Sequence, residues 1–116
     1  MPDTKQPLVL HDLFSLAAQP QLAWQHFREG VEIYPIYESQ VGCSAALLRY
    51  APGASVPAHE HVGYEHILVL SGEQRDERHH YPTGTLVISP PGSTHSVLSR
   101  SGCVVLAIWE KPVSFL

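Results

Sequence analysis

From residue 31 onward, turn signals interrupt the chain about every 8–12 residues, a spacing that suits a sandwich or barrel of short strands. Ten prolines and 8 glycines are spread over 116 residues. Each proline removes a backbone donor and fixes φ, so few stretches remain in which a long helix could form. The segments between turns are rich in β-branched and aromatic residues. Val31–Glu38, Cys43–Tyr50, Glu65–Leu70, Thr85–Ser89 and Cys103–Trp109 all read as strands. Pro35 demotes the first of these to an edge or bulged strand. Several strands are apolar on both faces, so their outer face must be covered by a second sheet or a partner subunit. The expected fold is all-β.

A chain of this length forms one domain. Its first thirty residues are the only plausible helical part: Asp12 caps a short turn through Leu13, Phe14, Leu16 and Ala17 that ends before Pro20. Residues 24–30 read as irregular. This organisation predicts an N-terminal arm over residues 1–30 packed on a β domain over residues 31–116. A net charge of −4 argues against nucleic acid as a partner. No apolar run approaches the roughly 20 residues needed to span a bilayer. The opening residues lack a secretory pattern, and a cytoplasmic location is expected.

Eight histidines against 2 cysteines direct attention to imidazole chemistry. Cys43 and Cys103 lie in apolar stretches and read as buried free thiols. His59 and His61 are separated by one residue, so on a strand both point to one face, about 6.6 Å apart. Glu65 follows at an even offset from His61 and can return to that face. Two imidazoles and a carboxylate on one face suit a borderline divalent cation. His95, leaving the turn Pro90-Pro91-Gly92 for the next strand, supplies a fourth ligand from a second element.

Written as patterns, the two segments are Gly53-x5-His59-x-His61-x3-Glu65-x6-Gly72 and Gly84-x5-Pro90-x-Gly92-x2-His95. These resemble the two motifs of the cupin superfamily at their internal spacings. Further strings are similar to the cupin domain of ChrR-type anti-sigma factors. They are Gly30-Val31-Glu32-Ile33, Leu48 to Gly53, Tyr64 to Leu70, Tyr81 to Thr85, and Gly102-Cys103. The resemblance implies a jelly-roll or β-barrel (a double-stranded β-helix) around one divalent metal ion per chain. Zinc, iron, nickel or manganese would fit, with zinc or iron favoured. Ser99 stands where cupins often carry Asn. Anti-sigma proteins of this type bind sigma through a separate N-terminal zinc-binding helical domain. These 116 residues contain no Cys-x-x-Cys, so that role is not expected here.

Two function classes are implied by the resemblance. One is a metal-dependent, dioxygenase-like enzyme acting on a small ketone or dicarbonyl compound. The other is a metal- or ligand-sensing regulatory cupin. In strand Cys43–Tyr50, Arg49 shares a face with Cys43, Ala45 and Leu47; if that face is inward, Arg49 and Ser99 are candidates for a ligand pocket. His66 should face away from the metal, and His79 and His80 read as solvated hairpin residues. With Leu68 and Leu70 on the outer face of their strand, a homodimer packed sheet to sheet is expected.

Overall fold

The computed structural model describes residues 5–116. One short helix, α1 (Leu13–Ala17), precedes ten strands: β1 (Gln25–Arg28), β2 (Val31–Glu38), β3 (Ser44–Tyr50), β4 (Ser55–Glu60), β5 (Glu65–Arg75), β6 (His80–Pro82), β7 (Leu86–Ser89), β8 (Thr94–Leu98), β9 (Cys103–Trp109) and β10 (Ser114–Phe115). Every pairing is antiparallel. The expected all-β fold is therefore present, as a curled antiparallel sheet with a short helical lead.

β5 belongs to both halves of the sheet. Its first part pairs with β9 and β7, and its last residues pair with β6 and β8. One half thus runs β1-β2-β3-β9-β5-β7, and the other β6-β5-β8-β4-β10. Between them lies a core that includes Leu48, Val56, Ile67, Val69, Val97 and Val105. Val69 and Val105 are wholly shielded from solvent. Burying each contributes about 1.5–3 kcal/mol.

Three bulges set which residues face this core. In β2 the register against β3 slips between Pro35 and Tyr37, so the missing N–H falls at an irregularity as the sequence predicts, although β2 is flanked on both sides. In β4 the register against β8 slips between Val56 and His59, and in β5 that against β9 slips between Val69 and Ser71. Each extra residue exchanges the inward and outward faces for the rest of its strand.

The outer face of the first half carries a second apolar cluster, with Leu47, Leu70 and Val104 packed against Ala17, Leu13, Leu16 and Trp24. The N-terminal segment therefore supplies part of the cover that the two-sided strands require. The Asp12 carboxylate accepts from the Ser15 amide and hydroxyl, capping α1. Residues 25–28, read from sequence as irregular, form β1 instead. Alternation there is weak, and pairing with β2 decides the conformation.

Candidate metal centre

β4 and β8 bring the histidines together. His59 and His95 are cross-strand partners, and the ladder continues past β4 because the His61 amide donates to Ser93 O at 2.9 Å. Ring centroids are 5.1 Å apart for His59–His61 and 4.7 Å for both pairs with His95. One ring nitrogen from each lies within 4.8 Å of the others, and all three side chains are buried. Glu65 arrives from β5 with Oε1 3.1 Å from His61 Nε2. Three of the four residues picked out by sequence spacing thus cluster at one point, and the fourth, Glu65, lies against one of them, His61.

The hydrogen bonds identify which nitrogen faces inward. His59 Nδ1 is 2.8 Å from Pro57 O, a group that only accepts. The Ser93 hydroxyl donates to Pro90 O at 2.6 Å, so its oxygen accepts from His61 Nδ1 at 2.9 Å. His95 Nδ1 donates to Asp76 Oδ2 at 3.1 Å. Each neutral ring therefore carries its proton on Nδ1 and turns an Nε2 lone pair to the centre. His61 Nε2 and His95 Nε2 are buried with no hydrogen-bond partner among the described residues. With its proton on Nδ1, a neutral His61 ring meets the Glu65 carboxylate lone pair to lone pair. Only a cation between them, a proton or a metal ion, relieves that arrangement.

The charges agree. Burial pushes His59 toward its neutral form. Burial alone would push the Glu65 carboxyl up, but a positive charge at the His61 contact and the 2.7 Å hydrogen bond donated by Trp109 Nε1 outweigh it and hold Glu65 below the usual range. Two imidazoles with orphaned nitrogens, a third beside them and a carboxylate next to one of them could hold a metal ion.

Asp76 is the contributor that sequence reading missed. It lies in the charged hairpin between β5 and β6, where nothing in the local pattern marks it. Its carboxylate accepts from the Arg78 and His79 amides, the Tyr81 hydroxyl and His95. Burial opposes ionisation, yet these donors bring it down to about 2.

Two sequence-based candidates sit elsewhere. Arg49 lies on the outer face of β3, bonded to Glu32 Oε1 through Nε and Nη2 at 3.0 and 2.7 Å, its guanidinium 4.5 Å from the centre of the Trp24 ring. Leu48 and Tyr50, on the opposite parity, face the cavity. Ser99 is fully buried just beyond β8, where its hydroxyl donates to Glu73 O. Neither lines the cavity. His66 faces out and stacks on Tyr64, and His80 is half-exposed in the hairpin. Cys103 is buried and Cys43 only partly so, both as free thiols.

A cavity beside the histidines is lined by His59, Glu65, His95, Tyr50 and Gln74 within an otherwise apolar wall that includes Leu48 and Trp109. It offers about 40 Å³ to the centre of a water-sized molecule.

The family described as the ChrR Cupin-like domain matches residues 15–112. The anti-sigma-E factor ChrR of Cereibacter sphaeroides is 36% identical over 73 residues, which are 61% of this chain and 34% of that protein. The chain thus spans about a third of that relative's length. Among solved structures, Rhodobacter sphaeroides SigE in complex with the anti-sigma ChrR matches with a TM-score of 0.71 at 25% identity, over 92% of this chain and 71% of that one. An acetylacetone dioxygenase from Acinetobacter johnsonii has a TM-score of 0.78 at 12% identity, over 100% of this chain and 80% of that one, and shares the fold.

Proposed function

The chain belongs to the ChrR cupin-like domain family, and on that premise we propose that it binds one divalent metal ion through His59, His61, Glu65 and His95 and works as a dioxygenase-like enzyme on a small ketone or dicarbonyl compound. The observation that carries this reading is the pair of buried, partnerless Nε2 atoms of His61 and His95, the first beside the Glu65 carboxylate, with Glu65 and His95 at the wall of a cavity. The fold is one that an acetylacetone dioxygenase also uses.

A divalent ion bound here would supply Lewis-acid polarisation of a carbonyl and, if iron(II), a means of activating dioxygen. The chain's own residues do the rest. Pro57 O, Ser93 and Asp76 fix the three imidazoles in the tautomer that leaves Nε2 free. Trp109 Nε1, directly across from Glu65 on the neighbouring strand β9, orients its carboxylate. The apolar wall excludes bulk water from the reacting group.

A second reading is favoured by the 36% identity with ChrR: a regulatory cupin in which metal or a small ligand sets the state of the barrel. Elemental analysis of untagged protein, with oxygen uptake after anaerobic iron(II) loading, separates the two. Uptake stimulated by a diketone or hydroxyketone supports the enzyme. One zinc per chain with no uptake across such a panel supports the regulator. Absence of metal overturns both. His59→Ala with His61→Ala is expected to abolish stoichiometric metal and the thermal stabilisation it brings.

The same reading includes a homodimer. Leu86, Ile88 and Ile108 are 55%, 53% and 38% exposed on the outer face of β7 and β9. Tyr64 and His66 adjoin the two isoleucines in one shallow depression without a lysine or arginine. A second copy meets such a face with no cation–cation repulsion and buries its apolar residues.

A further inference from the structure

We propose that the cavity holds a second, uncharged contact point, made by the Tyr50 hydroxyl and the Gln74 carboxamide, and that its ligand is a compact neutral molecule carrying a hydrogen-bonding oxygen group. The inference deepens the proposed function, since it concerns the same cavity, but it stands on different residues.

Tyr50 and Gln74 are 5% and 4% exposed, and both line the cavity together with His59, Glu65 and His95. Several other interior polar side chains are paired: Ser99 donates to Glu73 O, Trp109 to Glu65, and Tyr81 to Asp76. Among the described residues, neither the Tyr50 hydroxyl nor the Gln74 carboxamide makes a side-chain hydrogen bond. Both side chains line the cavity, so their donor and acceptor groups are open to a molecule seated there.

The backbone puts Gln74 there by a specific device. Glu65, Ile67 and Val69 alternate inward along β5, and on a regular strand Gln74, at an odd offset from Glu65, would face out. The bulge between Val69 and Ser71 inserts one residue and returns Gln74 to the inner face. Tyr50 reaches the same space from the end of β3, next to Leu48.

The remaining lining selects against charge and bulk. No lysine or arginine lines it, Arg28 being turned onto the ring of Phe115, and Glu65 already contributes an anion. Burial keeps the Tyr50 phenol in its neutral form. About 40 Å³ for water centres corresponds to roughly three waters at about 10–15 Å³ each. A molecule the size of a short hydroxyketone fills that room, with its carbonyl toward the histidines and its second oxygen toward Tyr50 and Gln74.

The test compares hydroxyacetone with its isostere butanone, which lacks the hydroxyl. Affinities are measured by calorimetry on the full chain, zinc-loaded and metal-free, for wild type, Gln74→Leu and Tyr50→Phe, with zinc content determined on the same samples. Wild type is expected to favour hydroxyacetone by about tenfold, and each variant to lose most of that preference while retaining zinc. One zinc per chain with a preference unchanged in both variants overturns the second contact point and leaves the metal reading standing. No zinc, but a preference that Gln74→Leu abolishes, upholds the contact point and removes the metal reading. Equal affinity of wild type for the two compounds overturns the contact point outright.

Discussion

Asp76 Oδ2 accepts from His95 Nδ1 at 3.1 Å and from the Tyr81 hydroxyl at 2.8 Å, so a hairpin residue nineteen positions upstream holds a candidate metal ligand in its tautomer. Asp76→Ala is expected to weaken zinc binding about 10–100-fold, because an unanchored ring loses both orientation and basicity. Tyr81→Phe, which leaves the carboxylate and its contact with His95 in place, is expected to weaken it less. Competition with a chromophoric chelator measures both, and the visible spectrum of cobalt-substituted protein reports whether the coordination geometry shifts. Equal zinc affinity in Asp76→Ala and wild type would remove Asp76 from the site.

Gly72 has φ +70, and a Cβ there would meet Gly102 O, with Cys103 Cα at 2.9 Å. Both obstacles are backbone of the facing strand segment, which cannot swing aside as a flexible side chain can. Gly72→Ala should therefore destabilise the fold by about 2–3 kcal/mol, at the upper end of what single substitutions usually do. Urea denaturation checks this, and a loss below about 0.5 kcal/mol would mean that β5 and β9 separate easily.

Burial raises the Cys103 thiol to about 11. The folded chain therefore binds that proton more tightly than the unfolded chain, whose thiol titrates near about 8.5. The neutral thiol's fit in the core is fully retained below that pH, and stability falls as pH rises from about 8.5 through about 11. At pH 8 an aromatic disulfide reagent should modify Cys43, which is only partly buried, and spare Cys103 until denaturant is added. Two fast-reacting thiols in the native protein would contradict the burial of Cys103.

Ile108→Glu places a carboxylate on the exposed apolar face of β9, opposite His66 on β5. Sedimentation at low micromolar concentration should give twice the 12.8 kDa chain mass for wild type and the single-chain mass for the variant. A wild-type species of 12.8 kDa would refute the dimer.

Legibility in the sequence followed physical cause. β2 and β9 have the bounds that their apolar runs and flanking turns indicate, and the proline in β2 sits at a bulge as its missing N–H requires. His59 and His61 could be placed on one face because strand alternation carries through to His61, whose amide still bonds Ser93, whereas Glu65 comes from the next strand across a turn. Arg49 could not: β3 is apolar on both faces, so its pattern does not say which parity is inward, and Leu48 and Tyr50 take the cavity side. Ser99 lies past the end of β8, where strand alternation no longer applies. Asp76 and Gln74 were hidden for different reasons. The first reaches His95 by the return of a loop, and the second faces in through a bulge that leaves no compositional trace.

The bulge between Val56 and His59 makes the site more vulnerable to a change of length than to many changes of side chain. Removing Ala58 would leave every candidate ligand in the chain, yet re-phase His59 and His61 relative to Val56. Either the imidazoles would turn to solvent or the valine would leave the core. Lengthening the turn between β2 and β3 at Val41, which is 86% exposed, shifts no strand that carries a candidate ligand and is far better tolerated. Homologues of this chain should therefore differ in length at that turn while keeping the residue count from Val56 to His61 fixed.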